Sequence, residues 1–280
     1  MKIGTVSVGD KLATKVMGII NASPESFYKG SVKTSEQEIA AAATQMQQDG
    51  VHIIDIGAMS TAPYLETVIS VQEETRRMKQ AIKAVRNACD LPISADTPRS
   101  IVAEEAVAAG ADAINDVTGL KYDSKMSEVV ARAGVPVIAG AYSRTPAKGT
   151  LDGTLAALRE SIVIAKKFGI KDVIIDPSIG FFRHKGKNQF FTKMTDMPWY
   201  TRDIGVLSSL DGLSALKKPI CISASRKSFI GHLLNLQEEG RLIPSIICEA
   251  IAVLNGANIV RTHNVRETVQ ALTMLQLLKP

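Results

Sequence analysis

Apolar and polar positions along the chain fall into two alternating regimes. Short runs rich in valine and isoleucine occur at 16–21 (VMGIIN), 52–57 (HIIDIG), 92–96 (PISAD), 113–117 (AINDV), 136–141 (PVIAGA), 172–176 (DVIID), 219–224 (PICISA) and 258–263 (NIVRTH). None alternates cleanly between apolar and polar residues, the pattern of parallel strands covered on both faces. The stretches between them carry helical periodicity. TSEQEIAAAATQMQQDG (34–50) opens on Thr34 or Ser35 as N-cap and closes on Gly50 as the glycine past the end. PRSIVAEEAVAAG (98–110) places Pro98 in the first turn and ends on Gly110, the same asymmetry.

Eight such strands in strict alternation with eight helices predict an α/β fold with a parallel sheet. The count of eight, in a chain of 280 residues, favours closure into a (β/α)8 TIM barrel over residues 1–280 as a single domain. A doubly wound open sheet fits less well, because no glycine-rich turn follows the first strand. Residues 1–15 read as a short N-terminal extension that closes the barrel bottom. The stretch 178–203 is long, basic, aromatic and irregular, and reads as an active-site loop.

Composition narrows the partners. Apolar residues at 45% and charged residues at 22% suit a soluble globular protein. No apolar run approaches the ~20 residues needed to span a bilayer, and the opening residues lack a signal-peptide core. Cys89, Cys221 and Cys248 are far apart, odd in number and without metal-ligand spacing, so a reduced, cytoplasmic protein is expected. The net charge of +5 suits a phosphorylated substrate. No basic stretch is interleaved with aromatic residues, which argues against nucleic acid.

Barrel enzymes carry their chemistry at the C-terminal strand ends. Polar residues recur there: Asn21, Asp96, Asn115 with Asp116, Asp176, Ser225-Arg226-Lys227, and Arg261 with His263. Singly, several read otherwise. Asp55 reads equally as a satisfied core carboxylate, Asn21 as a turn residue, and Asp176 before Pro177 as a turn signal. His52 reads as structural, and His184 and His232 carry no signal. Convergence on one rim is what argues for function. Asp96, Asn115 and Asp176 suit a flat heterocycle rich in N–H donors, whereas Arg261, His263 and Arg226 or Lys227 suit phosphate oxygens. Walker, GxGxxG, Ser-His-Asp and Cys-His patterns are absent.

Seven blocks, GIINASPESFYKGS, IDIGAMSTAP, SADT, AINDVTG, IIDPSIGFF, ISASRKSFIG and IVRTHNVRET, resemble in this order the signature blocks of dihydropteroate synthases, from about residue 15 to 270. The wording of SPESFYKGS and of 178–203 is similar to archaeal members. The resemblance implies a (β/α)8 barrel that forms a homodimer. It implies condensation of 6-hydroxymethyl-7,8-dihydropterin pyrophosphate with para-aminobenzoate or a related aryl amine, releasing pyrophosphate with Mg2+ assistance, in folate or methanopterin biosynthesis. It further implies pterin binding by Asp96, Asn115, Asp176 and Lys227, with Asp96, Asp176 and Lys227 catalytic. Asn21, Arg261 and His263 match the pyrophosphate site, Asn21 also the metal site. Phe27, Thr61, Pro63, Phe181 and Ser228 match the amine pocket, and Arg226 supports the loop or the adjacent anion.

The chain departs from the family pattern at the amine end. Lys29 stands where an aspartate is common, Ala62 where an arginine is common and Met59 where a glutamate is common; Ser178 replaces a glycine. These changes open other readings. One is a homologue that uses a larger amine bearing a phosphate, such as a ribofuranosyl-aminobenzene phosphate, with Arg144, Lys148, Arg183, Lys185 and Lys187 as a second phosphate-binding surface. Another is a pterin-dependent methyltransferase, although such domains lack SRKSFIG and need a corrinoid partner. A third is a pterin-binding protein without turnover.

Overall fold

The computed structural model describes residues 1–9, 11–25, 28, 30 and 32–278. Phe27 and Lys29 therefore lie outside the described residues. The chain opens with a small antiparallel hairpin of β1 (Lys2–Ile3) and β2 (Val6–Ser7). Eight parallel strands follow: β3 (Lys15–Asn21), β4 (Ile53–Gly57), β5 (Ile93–Asp96), β6 (Ala113–Asp116), β7 (Val137–Gly140), β8 (Val173–Asp176), β11 (Cys221–Ile222) and β12 (Ile259–Thr262). Their order is β11-β12-β3-β4-β5-β6-β7-β8, and a parallel bridge between Ile175 and Ile220 joins the two ends into a barrel. The seventh barrel strand is shorter than 219–224 because Pro219 has no N–H for the ladder and the chain turns at Ala224, whose carbonyl accepts from Lys227 N at 3.3 Å.

Helices α1 (Glu36–Gln48), α2 (Val71–Ala88), α3 (Ser100–Ala108), α4 (Met126–Ala133) and α5 (Leu151–Lys167) follow the first five barrel strands. Then come α6 (Trp199–Ser208), α7 (Ser228–Leu234), α8 (Leu242–Leu254) and α9 (Val265–Leu278). The described residues thus hold one helix more than strict alternation predicts, because α7 precedes α8 on the seventh unit. Ser35 is the N-cap of α1. Its Oγ accepts from Glu38 N at 3.2 Å while Glu38 Oε2 accepts from Ser35 N at 3.0 Å, a capping box contributing about 1 kcal/mol. Pro98 is not in the first turn of α3. Thr97 Oγ1 takes the Arg99 N–H at 3.2 Å and delays the helix to Ser100, with Arg99 as N-cap. The stretch 178–203 is more ordered than expected: β9 (Phe182–Arg183) pairs in parallel with β10 (Thr192–Lys193), and α6 begins at Trp199.

Strand parity divides the apolar residues into two layers. Outward-facing Ile54, Ile56, Ala95, Ile114, Ile175 and Val260 pack against the helices. Inward-facing Met17, Ile53, Ala113, Ile138, Ile174 and Ile259 form the barrel floor, which Ile3 and Val8 of the hairpin region cover from below.

Candidate active site

The floor residues set the parity of the mouth. Two residues after Ile53, Ala113, Ile174 and Ile259 come Asp55, Asn115, Asp176 and Arg261, which therefore face the barrel axis one layer higher. Asp96 joins them on β5, in register with Gly57 of β4 and Asn115 of β6. Asn21 ends β3 opposite Gly57; a Cβ on Gly57 would lie 3.2 Å from Asn21 Oδ1, so the glycine keeps that space clear.

Arg261 sits between two carboxylates. Its Nε donates to Asp55 Oδ2 at 2.7 Å and its Nη2 to Asp96 Oδ2 at 2.7 Å. Asp55 is fully buried and also takes the Asn115 amide at 3.3–3.4 Å. It is the anchor of the mouth, and both readings open from its sequence context meet in it: a core carboxylate whose partner is a site residue. Burial pushes the Asp96 carboxyl up to about 7, with the Asp55 carboxylate adding to the rise and the Arg261 guanidinium opposing it. Burial also raises Asp176, against the Ser178 N–H that donates to its Oδ1 at 2.6 Å.

Ser178 takes φ +56°, the left-handed region that favours glycine. A buried pair on α6 holds this turn. Arg202 donates to Pro177 O at 2.6 Å, to Ser178 O at 3.3 Å and to Asp203 Oδ1 at 3.1 Å; Asp203 Oδ2 accepts from Gly180 N at 3.0 Å. Sequence reasoning missed this pair, since both residues close the 178–203 stretch that reads as an irregular loop.

The two cations after β11 diverge. Arg226, at φ +52°, turns into the protein and donates to Glu238 O at 2.7 Å, Glu239 O at 3.1 Å and Asn264 Oδ1 at 2.8–3.0 Å. It supports the loop. Lys227 turns into the mouth, its Nζ 4.7 Å from the centroid of Phe181, and burial beside Arg261 lowers it to about 8. Ser225 Oγ accepts from His263 N at 3.1 Å and from Asn264 Nδ2 at 3.2 Å. His263 Nδ1 also lies 3.1 Å from Ser225 Oγ, which fixes the ring at the mouth. Burial among Arg261, Lys227 and Arg226 holds His263 neutral, well below its ordinary pKa.

These groups line two adjoining cavities. The deeper, of about 30 Å³, is walled by Asp96, Asn115, Asp176 and Ser223. The outer, of about 60 Å³, is walled by Asn21, Met59, Pro63, Ser228 and His263. Thr61, Asp96, Phe181, Lys227 and Arg261 line both. The described residues that the resemblance implies for pterin, pyrophosphate and amine therefore lie on one of the two walls, whereas Arg226 does not and Asp116 faces away, its carboxylate accepting from Thr118 and Leu120 N. Both spaces are small beside ordinary ligand pockets of about 300–1,000 Å³, because the loop after β4 folds inward: Met59, Thr61, Ala62 and Pro63 are buried. Asn188, which sequence reasoning also missed, clamps that loop, donating to Ala62 O at 2.7 Å and Leu65 O at 3.3 Å; Lys187 N adds a bond to Pro63 O at 2.7 Å.

A parallel barrel that carries buried carboxylates and an amide in its mouth, with cations on the same walls, offers acceptors and cations together, the arrangement of a small-molecule enzyme site. The family of pterin binding enzymes matches residues 17–263. The dihydropteroate synthase of Clostridium beijerinckii is 35% identical over 283 residues, covering 99% of each chain. A solved dihydropteroate synthase from Clostridium difficile, determined in the presence of pteroic acid, superposes with a TM-score of 0.83 at 30% identity, covering 100% of this chain and 99% of that one. One from Xanthomonas albilineans with 4-aminobenzoic acid gives 0.79 at 30% identity, covering 95% and 93%. The chain belongs to the dihydropteroate synthase family of pterin-binding transferases.

Proposed function

We propose that this enzyme condenses 6-hydroxymethyl-7,8-dihydropterin pyrophosphate with para-aminobenzoate or a related aryl amine and releases pyrophosphate. The observation that carries the reading is one barrel mouth divided into a deep acceptor cavity and an outer cationic one, with Lys227 and Arg261 in both walls. The pterin ring enters the deep cavity, where Asp96, Asn115 and Asp176 accept its N–H groups and Lys227 donates to it. As the methylene C–O bond breaks, its electron pair leaves with pyrophosphate and the ring takes up positive charge, which the carboxylates stabilise. The amine lone pair then forms the C–N bond, and the nitrogen gives its proton to the departing pyrophosphate or to water. Holding the two reactants side by side supplies much of the acceleration.

Arg261 Nη1 and His263 Nε2–H serve the pyrophosphate; the other arms of Arg261 stay on Asp55 and Asp96. The site fits a Mg2+ brought by that substrate. Such an ion needs one or two protein oxygens beside phosphate and water, and Asn21 brings a side-chain oxygen to the wall of the outer cavity. Mg2+ bound there would neutralise charge on the leaving group. The amine ring lies between Phe181 and the 59–63 loop with its carboxylate at Ser228; Phe27 completes this pocket in our reading.

The hairpin and barrel act as one domain, and the enzyme works in the cytoplasm as a homodimer. The three cysteines are free thiols, and no helix among the described residues is long and apolar enough to cross a membrane. Ile243, Ile247, Ile251 and Leu254 form an exposed apolar stripe along α8, flanked by exposed Leu277 on α9, which suits an isologous contact with a second copy. The activity is tested by a pyrophosphate-release assay. Release is expected only with both the pterin pyrophosphate and an aryl amine; tight pterin binding with no release would make the chain a pterin-binding protein instead.

A further inference from the structure

Helix α8 buries a carboxyl that the site described above does not use. Glu249 is 1% exposed, and its Oε1 has no hydrogen-bond partner among the described residues. Its Oε2 lies 2.7 Å from Thr268 Oγ1 on α9. From there a row of buried hydroxyls leads to the barrel mouth. Thr268 Oγ1 is 3.0 Å from Thr262 Oγ1 on β12, Thr262 Oγ1 is 3.4 Å from Ser225 Oγ, and Ser225 Oγ is 3.1 Å from His263 Nδ1. His263 itself lines the outer cavity. A buried carboxyl without a cation favours its neutral form. Burial raises Glu249 to about 7, and Glu267 on α9 adds to the rise. Cys248, beside it on α8, is held a neutral thiol, and α6, which also packs on α8, sets no charge against it.

Each hydroxyl gives one hydrogen and offers two lone pairs, so the direction of the row follows from Glu249. The amides of His263 and Asn264 fill Ser225 Oγ, whose hydrogen then has two acceptors in reach, His263 Nδ1 and Thr262 Oγ1. Thr262 Oγ1 already accepts from Asn264 N at 3.1 Å, so its second lone pair decides. A neutral Glu249 donates to Thr268, Thr268 donates to Thr262, and Thr262 turns its own hydrogen back to the carboxyl, which it also reaches. Thr262 is then full, and the Ser225 hydrogen goes to His263 Nδ1. An ionised Glu249 draws the Thr268 hydrogen onto Oε2 instead. The lone pair on Thr262 opens, Ser225 turns to it, and Nδ1 loses its donor. We propose that Glu249 is a positioning residue for the anion end of the mouth: as a neutral acid it orders the Thr268, Thr262 and Ser225 hydroxyls so that His263 carries its proton on Nε2 and presents a donor to the outer cavity, and as a carboxylate it releases that order.

Nitrogen-15 NMR of the histidine side chains reads the tautomer without turnover, and His263→Gln assigns its signals among those of the four histidines. In the wild type the Nε2–H form is expected below about 7, and a mixture with the Nδ1–H form above it. Glu249→Gln keeps N–H donors at every pH and should hold the Nε2–H form throughout. Thr262→Val removes the second acceptor of Ser225 and should do the same, and it decides the matter should Glu249→Gln not fold. Lys227, which burial lowers to about 8, is present in all three proteins, so a change that it caused would survive both substitutions. A wild-type tautomer that ignores pH, or a change that survives these substitutions, overturns the proposal. What His263 meets rests on the function proposed above and is read separately, by calorimetry with inorganic pyrophosphate above pH 7. There Glu249→Gln should bind about fivefold more tightly than the wild type, the worth of one ordinary hydrogen bond. Equal affinities beside the expected tautomers would uphold the ordering by Glu249 and remove His263 from the pyrophosphate site.

Discussion

Arg261 Nη2 meets Asp96 Oδ2 at 2.7 Å across the barrel mouth. The contact joins a residue assigned to the leaving group with one assigned to the pterin, so the two ends of the substrate meet a single electrostatic unit. Asp55 shares the same guanidinium from below. Two carboxylates share one cation, and burial raises the Asp96 carboxyl in spite of it.

This sharing sets the pH dependence. Pterin N–H recognition needs Asp96 ionised, so kcat/KM is expected to rise with pH through about 7. Lys227 must keep its proton to donate, so kcat/KM is expected to fall through about 8. A narrow bell between these values is the expected profile. Asp96→Asn should abolish the acid limb and Lys227→Gln the alkaline limb, each with lower activity throughout. A broad plateau from pH 5 to 9, on the order of several units, would contradict the assignment.

The same shift appears in stability. The folded Asp96 carboxyl binds its proton more tightly than the unfolded one, whose pKa is about 3.9. Its contribution is therefore complete below about 4 and lost as pH rises through about 7. Glu249, which burial raises to about 7, acts in the same direction. His263, held below its ordinary pKa, acts in the opposite direction, so the Asp96 share is read as a difference: from about pH 4 to 7 the Tm of the wild type should fall relative to that of Asp96→Asn.

Asp176→Asn is expected to keep the fold, because Oδ1 can still accept from Ser178 N. It replaces an acceptor at the pterin with a mismatched donor. Pterin affinity measured by calorimetry should drop by about 10- to 150-fold, the worth of a hydrogen bond to a charged group. Wild-type affinity in this variant would remove Asp176 from the pterin site.

Arg261→Ala leaves Asp55 buried without its cation and should destabilise the protein by about 3–5 kcal/mol in urea unfolding. In binding, the pterin pyrophosphate should lose more than the pterin without phosphates. Equal losses for the two ligands would place Arg261 outside the pyrophosphate site.

Asn188→Ala removes the clamp on the loop after β4. Hydrogen exchange at residues 59–67 is expected to quicken by about fivefold, as for a lost bond of about 1 kcal/mol, and the KM for the amine should rise because Thr61 and Pro63 are no longer held on the pocket wall. Unchanged exchange would mean that the loop's own bond, Thr67 Oγ1 to Ser60 O at 2.6 Å, suffices.

Ile247→Glu places a charge in the middle of the apolar stripe on α8. Sedimentation is expected to give a dimer for the wild type and a monomer for the variant. A dimer that persists in Ile247→Glu would put the contact elsewhere.

The barrel was legible in the chain itself because local rules decide it: valine- and isoleucine-rich runs make buried parallel strands, and Ser35 with Gly50 bounds a helix wherever it lies. Residues at strand ends were legible for the same reason, since a parallel barrel sends all its C-terminal ends to one face. Other features depend on contacts between residues remote in the chain. Strand parity puts Asp55, Asn115, Asp176 and Arg261 in one inward layer; its trace, a polar residue two places after a floor residue, is recognisable only once the floor is known. Asp55 and Arg261 are 206 residues apart, and closure of the barrel is what makes each the other's partner. Arg226 and Lys227 are neighbours that the chain cannot tell apart; the left-handed turn at Arg226 sends one into the protein and the other into the mouth. Asn188 lies in a stretch with little periodicity, and its role comes from the carbonyls that packing brings against it. Composition and periodicity thus determined the elements and the rim, because those follow from backbone geometry; which side chains meet, and with what charge, was decided by tertiary structure, because burial and pairing are properties of the closed barrel.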